Sequence, residues 1–356
     1  MRLVPIALTA MLALLAGCRS LGYYAHVTHG QGALLMARQP IDKVIADPKT
    51  TDKVRQRLVT AREARAFASE HLDLPANRSY TYYVQLDRPW VAWNVFATPE
   101  LSVDPVVQCF PFAGCVSYRG YFRKDLADRE AARLRALGND VSLGEVPAYS
   151  TLGWFADPVL SSMLGWDDDD LVGTIFHELG HQKIYVKNDS SFNESYASFV
   201  EQEGVREWHA ARHLPPPDPK GDALAHSFTE QVLALREDLK AMYALPMDDD
   251  AKRVAKAEAF EVFRGNYLVW RAGEAGGDRR YDRWMAQPMS NARLLPFGLY
   301  DQWTGAFAAL FAQSGRDWPR FFAAVQALAT LPPDARTRQL ESLKASATSL
   351  CASPCA

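Results

Sequence analysis

The segment TIFHELGHQKIYVKNDSSFNESYASFVEQEG, residues 174–204, carries the motif HExxH at 177–181. In a helix, positions i and i+4 lie on one face, so the imidazoles of His177 and His181 can reach the same ion. Glu178 lies beside the first imidazole, where a carboxylate can take a proton from an activated water and pass it to a leaving amine. The motif therefore predicts a catalytic Zn²⁺ site. The alternative is a helix that carries two surface histidines.

The residues around the motif favour a buried helix. The apolar stretch LVGTIF at 171–176 lets the helix bury its other face. Gly180 inside a helix costs about 1 kcal/mol relative to alanine, which indicates a close approach of another backbone. The acids Asp167 to Asp170 suit the first turn of this helix, where they cap free amides and face the positive end of the dipole.

A catalytic zinc ion needs a third protein ligand and one open position. The gluzincin pattern places a glutamate on a following helix, often as Asn-Glu, and FNESYA at 192–197 resembles it, which makes Glu194 the first candidate. Glu194 would instead cap its own helix if Ser191 began a capping box. Glu201, seven residues further on the same face, is the alternative ligand, or an acceptor for a histidine N–H. The short interval after His181 requires a tight turn.

Hydrolysis of a peptide also needs a hydrogen-bond donor for the oxyanion. Tyr300, in NARLLPFGLYDQW, is the candidate, while Tyr185 and Tyr196 are closer to the motif but suit packing roles. The segment TLGWFADP at 151–158 precedes the metal helix. It is either an edge strand that holds an extended peptide or a buried aromatic turn.

The N-terminus predicts export and lipidation. A short apolar run, LVPIALTAMLALLA at 3–16, follows Arg2 and is too short to span a bilayer comfortably. It leads into Leu-Ala-Gly-Cys, which resembles a bacterial lipobox and implies cleavage before Cys18 and acylation of that residue. Arg19 at the next position suggests the outer membrane, facing the periplasm. The alternative is an ordinary signal peptide with an incidental cysteine.

The four remaining cysteines are even in number, which in an exported chain indicates two disulfides. Neighbours in sequence give the simplest pairing, Cys109 with Cys115 and Cys351 with Cys355, although three pairings are possible. A zinc site built from all four thiolates is disfavoured because the periplasm oxidises thiols and the two pairs lie far apart in sequence.

The composition describes a globular chain of 356 residues with a formal charge of −3. No basic stripe occurs, so nucleic acid is not an expected partner.

Helical periodicity at 41–74 and after 167, with alternating aromatic and polar residues at 80–122, predicts a mainly helical α+β fold with one small antiparallel sheet. The predicted organisation is a signal peptide (1–17), a lipidated N-terminus and tether (18–40), and a single peptidase domain (41–356) with a sheet-rich part (80–155), metal-site helices (167–213) and a helical C-terminal part (222–350).

Longer segments of the sequence outside the motif also carry a resemblance. The strings NVFATPELS at 94–102, CFPFAGCVSYRGYF at 109–122 and AYSTLGWFADPVLS at 148–161, together with the metal-helix segment, resemble the bacterial predicted-aminopeptidase lipoprotein family, of gluzincin type. The resemblance implies a zincin-like core and a zinc-dependent peptidase, with His177, His181 and Glu194 as ligands and Glu178 as the catalytic residue.

The sequence is compatible with three functions. The first is a lipid-anchored zinc aminopeptidase that hydrolyses peptides, and the second is an endopeptidase acting on envelope proteins. The third is a non-catalytic zincin-like lipoprotein that binds a partner, which the intact Glu178 disfavours because a binding module needs no general base. His26 and His29 are interpreted as incidental residues of the tether.

Overall fold

The computed structural model describes residues 21–110, 114–148, 150–297 and 302–351. Over this part the chain is mostly helical with small sheets, so the predicted α+β class is confirmed. Cys18, Tyr300 and Cys355 lie outside the described residues, and Cys351 ends the last helix without a described side chain. None of the helices in the described ranges combines the length and apolarity needed to cross a membrane.

The N-terminal helix, α1, spans residues 21–37 and packs on the rest of the fold. The hydroxyl of Tyr23 donates to the carbonyl of Gly120 at 3.1 Å, and Nε2 of His26 accepts from the amide of Phe122 at 3.0 Å. The interpretation of His26 as an incidental residue is therefore wrong, because its ring completes the hydrogen bonding of a strand end.

The predicted helix at 41–74 is two helices, α2 (Ile41–Ala46) and α3 (Asp52–Glu70). Asp47, the residue before Pro48, is extended with ψ 121°. A proline disfavours the helical conformation of the residue that precedes it, which explains the break. The side chain of Thr51 then caps the start of α3.

The strands form three small sheets, where the sequence predicted one. They are β1 (Gln39–Pro40), β2 (Tyr82–Val84), β3 (Ala92–Pro99), β4 (Gln108–Phe110), β5 (Gly114–Val116), β6 (Tyr118–Tyr121), β7 (Asn139–Val146) and β8 (Val159–Leu160). The largest sheet has the order β6-β3-β7 and is antiparallel, a second has the order β1-β2-β8 with β2 and β8 parallel, and β4 and β5 form a hairpin. Strand β7 lies within the predicted sheet-rich part (80–155), whereas β1 and β8, which complete the second sheet, lie outside it.

Helix α4 (Lys124–Ala136) packs on the largest sheet and ends before Gly138, which has a positive φ of 79°. A left-handed glycine is a common helix terminator. The later helices are α5 (Asp168–Lys183), α6 (Ser190–Ala211), α7 (Pro219–Tyr243), α8 (Asp249–Ala272), α9 (Asp282–Met285), α10 (Asn291–Leu294), α11 (Thr304–Gln313), α12 (Trp318–Ala329) and α13 (Pro333–Cys351).

The main hydrophobic core lies between α3, α5, α6, α11 and α12. Tyr196 of α6 is fully buried among Phe307, Phe321 and Phe322, and Phe176 of α5 contacts aromatic rings of α3 and α6. A second core surrounds Phe228, between α7 and α8. The main core therefore packs on the apolar faces of α5 and α6 and holds the two helices together.

The segment at 151–158 is neither an edge strand nor a buried aromatic turn. Leu152 and Gly153 have positive φ angles of 55° and 79°, which reverse the chain. Trp154 is 71% exposed and Phe155 is 46% exposed. Both predictions for this segment are wrong, because the reversal carries the two rings into solvent.

Helix α6 has one position where only glycine fits. A β-carbon on Gly204 would lie 2.7 Å from Cδ2 of Phe176 and 2.9 Å from Cδ1 of Leu72, two fully buried side chains. We expect Gly204→Ala to lower the free energy of unfolding by about 1–2 kcal/mol, because overpacking outweighs the gain in helix propensity. The midpoint of urea unfolding measures this.

Gly265 of α8 provides the matched control, since a β-carbon there would meet no atom within 4 Å. We expect Gly265→Ala to raise the free energy of unfolding by up to about 1 kcal/mol. Equal responses of the two variants would contradict the packing described for α5 and α6.

Candidate metal centre

Helix α5 carries both histidines on one buried face. The carboxylate of Asp167 caps its start by accepting from the amide of Asp170 at 2.8 Å. Leu171, Ile175 and Leu179 are fully buried and fix the rotation of the helix. His177 and His181 lie on another face, 8% and 7% exposed. The cap at Asp167 and the packing of the core together orient the two rings toward α6.

The tight turn between α5 and α6 is closed by the side chain of Asn193. Its Oδ1 accepts from the amide of Val186 and its Nδ2 donates to the carbonyl of Val186, both at 2.7 Å. Asp189 caps α6 by accepting from the amide of Phe192 at 3.1 Å. The capping box suggested for Ser191 does not form, because Asp189 already occupies the cap.

This turn brings a carboxylate of α6 to the two imidazoles. Nε2 of His177 lies 3.1 Å from Nε2 of His181, and Oε2 of Glu194 lies 3.4 Å and 3.6 Å from these two atoms. Ligands about 2.0–2.1 Å from a tetrahedral zinc ion are about 3.3 Å apart. The three atoms form a triangle close to that size, so the donor set fits a divalent cation and leaves a coordination position for solvent.

Glu201 lies behind His177 rather than in this triangle. Its Oε2 is 2.9 Å from Nδ1 of His177, so the carboxylate accepts a hydrogen bond from the ring nitrogen that faces away from the other two donors. Such a bond fixes the tautomer and orientation of a metal-binding imidazole. Among the described residues, Nδ1 of His181 has no comparable partner.

Two glycines of α5 face α6, but they have different roles. A β-carbon on Gly173 would lie 2.9 Å from Oε1 and 3.0 Å from Cγ of Glu201, in the space that the glutamate uses to reach His177. At Gly180 the nearest atoms would be 3.6 Å and 3.7 Å away, in Val200 and Ala197. The helices approach closely at Gly180 as predicted, although a methyl group would still fit there.

The two glutamates near the imidazoles have pKa values shifted in opposite directions. Burial opposes ionisation of Glu194, but the two histidines outweigh it and hold its pKa well below the usual range. Burial raises the pKa of Glu178, and the imidazoles lower it only in part. Burial lowers the pKa of His177, but the carboxylates of Glu194 and Glu201 raise it overall. A bound cation would oppose this shift, because a metal-binding imidazole is in its neutral form.

Tyr118 lies within electrostatic reach of the candidate centre, and sequence reasoning missed it. It lies on β6, and its pKa is raised mainly by desolvation and further by the nearby charges of Glu194 and Glu178. Tyr185 is also close to Glu194, which raises its pKa in addition to desolvation. Tyr118 is 59 residues before the first metal-site histidine, counting from 118 to 177, and no local pattern links it to the motif.

A disulfide joins Cys109 and Cys115 across the β4–β5 hairpin. The amide of Cys115 donates to Oδ1 of Asn188 at 2.9 Å, in the turn that connects the two metal-site helices. The hairpin is therefore attached to the segment that sets the distance between α5 and α6.

The family described as "Putative aminopeptidase" matches residues 22–340. The chain belongs to this family. The match includes α5 and α6 and all the side chains of the candidate centre, and family membership suggests a hydrolase that acts on peptides. Comparison with curated proteins and with solved structures gave no match.

The close contact between Gly173 and Glu201 makes it possible to test whether the hydrogen bond from His177 to Glu201 matters for metal binding. We expect Gly173→Ala to displace Glu201 and to weaken Zn²⁺ binding by about 10–100-fold, the usual effect of removing a partner of a metal-binding imidazole. Competition with a chromophoric chelator measures the affinity.

Gly180→Ala, on the same helix, is the control and should keep the affinity of the parent chain. Equal zinc affinities in the two variants would show that the position of Glu201 does not matter for metal binding.

Proposed function

We propose that this chain is a zinc-dependent peptidase of gluzincin type with a zincin-like core. The observation that carries the proposal is the triangle formed by His177, His181 and Glu194 beside the carboxylate of Glu178. Two neutral imidazoles and one carboxylate would leave half of the formal charge of a zinc ion uncompensated. When bound, the ion supplies Lewis acidity, which polarises a scissile carbonyl and lowers the pKa of water.

Glu178 acts as the general base. It takes a proton from the attacking water and delivers it to the nitrogen of the leaving amine, so that it returns to its starting state after each cycle. A base is most effective when its pKa approaches the working pH, and burial raises the pKa of Glu178 in that direction. Glu194, with a lowered pKa, remains ionised and keeps the role of a ligand.

A tyrosine hydroxyl stabilises the oxyanion of the tetrahedral intermediate. Tyr118 and Tyr185 are supported by their proximity to Glu194, and Tyr300 stays a prediction outside the described residues. A phenol with a raised pKa stays protonated at neutral pH, which is the form that donates a hydrogen bond.

The family description favours an aminopeptidase over an endopeptidase. The two activities differ in whether the enzyme requires a free amine at the substrate's N-terminus. Matched peptides with free and acetylated N-termini separate them: loss of hydrolysis on acetylation supports the aminopeptidase, and equal hydrolysis supports an endopeptidase of envelope proteins.

We also propose that Cys18 carries a lipid anchor in the bacterial envelope, with the peptidase facing the periplasm. The support is the apolar run at 3–16 and the Leu-Ala-Gly-Cys sequence that follows it. The disulfide between Cys109 and Cys115 suits an oxidising compartment of this kind.

The central prediction concerns Glu178. We expect Glu178→Gln to retain one zinc ion per chain while kcat falls by about 10²–10⁴-fold, the usual contribution of general acid–base catalysis. Metal content and hydrolysis of a peptide library, with and without a chelator, measure the two effects.

A variant as active as the parent chain would show that Glu178 is not the base. If the parent binds zinc stoichiometrically but hydrolyses no peptide, the non-catalytic binding protein is the better interpretation.

The anchor is tested separately. We expect Cys18→Ser to abolish incorporation of an alkyne-labelled fatty acid and to release the chain from the membrane fraction, because the acyl chains provide the membrane affinity. Cys351→Ser serves as the control and should be labelled like the parent. Continued labelling of the Cys18 variant would contradict lipidation at this residue.

A further inference from the structure

The turn at residues 152–155 holds two large aromatic rings in solvent. Trp154 is 71% exposed and Phe155 is 46% exposed. The turn includes Leu152 at φ 55°, a left-handed conformation that is unfavourable for a leucine. Exposed aromatic rings on a strained backbone are unusual in a purely structural turn, and such strain is common at ligand-binding sites.

A buried carboxylate fixes this turn from inside. Asp157 is 2% exposed, and it accepts from the amide of Thr151 at 3.0 Å and from its hydroxyl at 2.7 Å. The hydroxyl of Thr151 in turn accepts from the amide of Phe155 at 3.1 Å. These hydrogen bonds form a frame, residues 151–157, that fixes the backbone carrying the two rings.

Main-chain contacts attach the frame to the rest of the fold. The carbonyl of Ala156 accepts from Nη1 of Arg38 at 2.8 Å, and the carbonyl of Asp157 accepts from the amide of Tyr80 at 2.6 Å. The turn is thus held on its C-terminal side by groups that are distant in sequence.

The frame also contacts the helix of the candidate metal centre. Nε2 of Gln182 lies 3.4 Å from Oδ2 of Asp157, and a β-carbon on Gly153 would lie 3.3 Å from Oε1 of Gln182. Gln182 is four residues after Glu178, so the two side chains lie on one face of α5, with β-carbons about 5–6 Å apart. The aromatic turn is therefore packed next to the face that carries the proposed general base.

We propose that Trp154 and Phe155 form an apolar subsite for a side chain of the peptide substrate near the scissile bond. The inference rests on the proposed peptidase function and specifies its substrate class, peptides with an aromatic or large aliphatic residue at one position. Flat rings offer a large contact area for such a side chain at little cost in conformational entropy.

The position of the turn favours a peptide over a membrane as the occupant. Tyr23, near the start of α1, contacts Gly120, whereas Arg38, just after its end, contacts the turn. A helix over residues 21–37 is about 25 Å long. The proposed anchor at Cys18 precedes the start of α1, so the turn lies at the end of that helix away from the lipid.

The test uses the full mature chain in the inactive Glu178→Gln background. Binding of labelled hexapeptides that differ at one position, Phe, Leu, Ala or Gly, is measured by fluorescence anisotropy. We expect a preference for Phe over Gly on the order of tenfold, which Trp154→Ala or Phe155→Ala reduces to about twofold or less, while Trp154→Phe retains most of it.

Val269→Ala is the control, because Val269 is an apolar residue of α8 that is 74% exposed. It should leave the preference unchanged. An undiminished preference in folded Trp154→Ala and Phe155→Ala variants overturns the subsite. Loss of vesicle binding by these variants with unchanged peptide preference also overturns it, in favour of a membrane contact.

Hydrolysis assays on the chain with Glu178 intact distinguish a failure of the subsite from a failure of the proposed peptidase function. Hydrolysis with a selectivity that Trp154→Ala does not change contradicts the subsite alone. Absence of hydrolysis, combined with a binding preference that depends on Trp154, contradicts the peptidase and supports the subsite.

Discussion

The close approach of α5 and α6 is the constraint on which the rest of this structure depends. Neither helix brings the three candidate donors together alone, because His177 and His181 lie on α5 and Glu194 lies on α6. Small residues permit the approach, with Gly180 beside Ala197 and Gly204 beside Phe176. Asn193 closes the intervening turn with two bonds to one residue, Val186. The residue before the candidate ligand Glu194 is therefore the residue that places it, which gives the Asn-Glu pair a physical meaning.

The three glutamates around the two imidazoles have different surroundings. Glu194 faces both Nε2 atoms and has a lowered pKa, Glu201 faces Nδ1 of His177, and Glu178 is buried with a raised pKa. Separated pKa values are the usual mark of carboxylates that act as ligand and as base in one site. The same arrangement explains why Gly173 is a glycine, since the side chain of Glu201 occupies the space of its missing β-carbon.

Two peripheral elements contact the metal-site segment at different points. The disulfide-closed hairpin bonds to Asn188 in the turn between the helices, and the aromatic turn packs on Gln182 near the end of α5. Tyr118 lies on the strand that follows the hairpin, close enough to Glu194 and Glu178 for their charges to raise its pKa. The sheet-rich part of the chain therefore contributes the groups that surround the site, while the helices contribute the candidate ligands.

The sequence by itself determined the features that depend on local spacing. The i, i+4 pair His177 and His181 and the acidic first turn of α5 follow from helix geometry, which acts over a few residues. Only the tertiary structure places Glu194 rather than Glu201 beside the two Nε2 atoms, since both lie on one face of α6 and the turn before them sets which one reaches Nε2. It also exposes the rings of the segment at 151–158 and brings Tyr118 near the candidate centre, because contacts between residues far apart in the chain leave no periodic signal in the sequence.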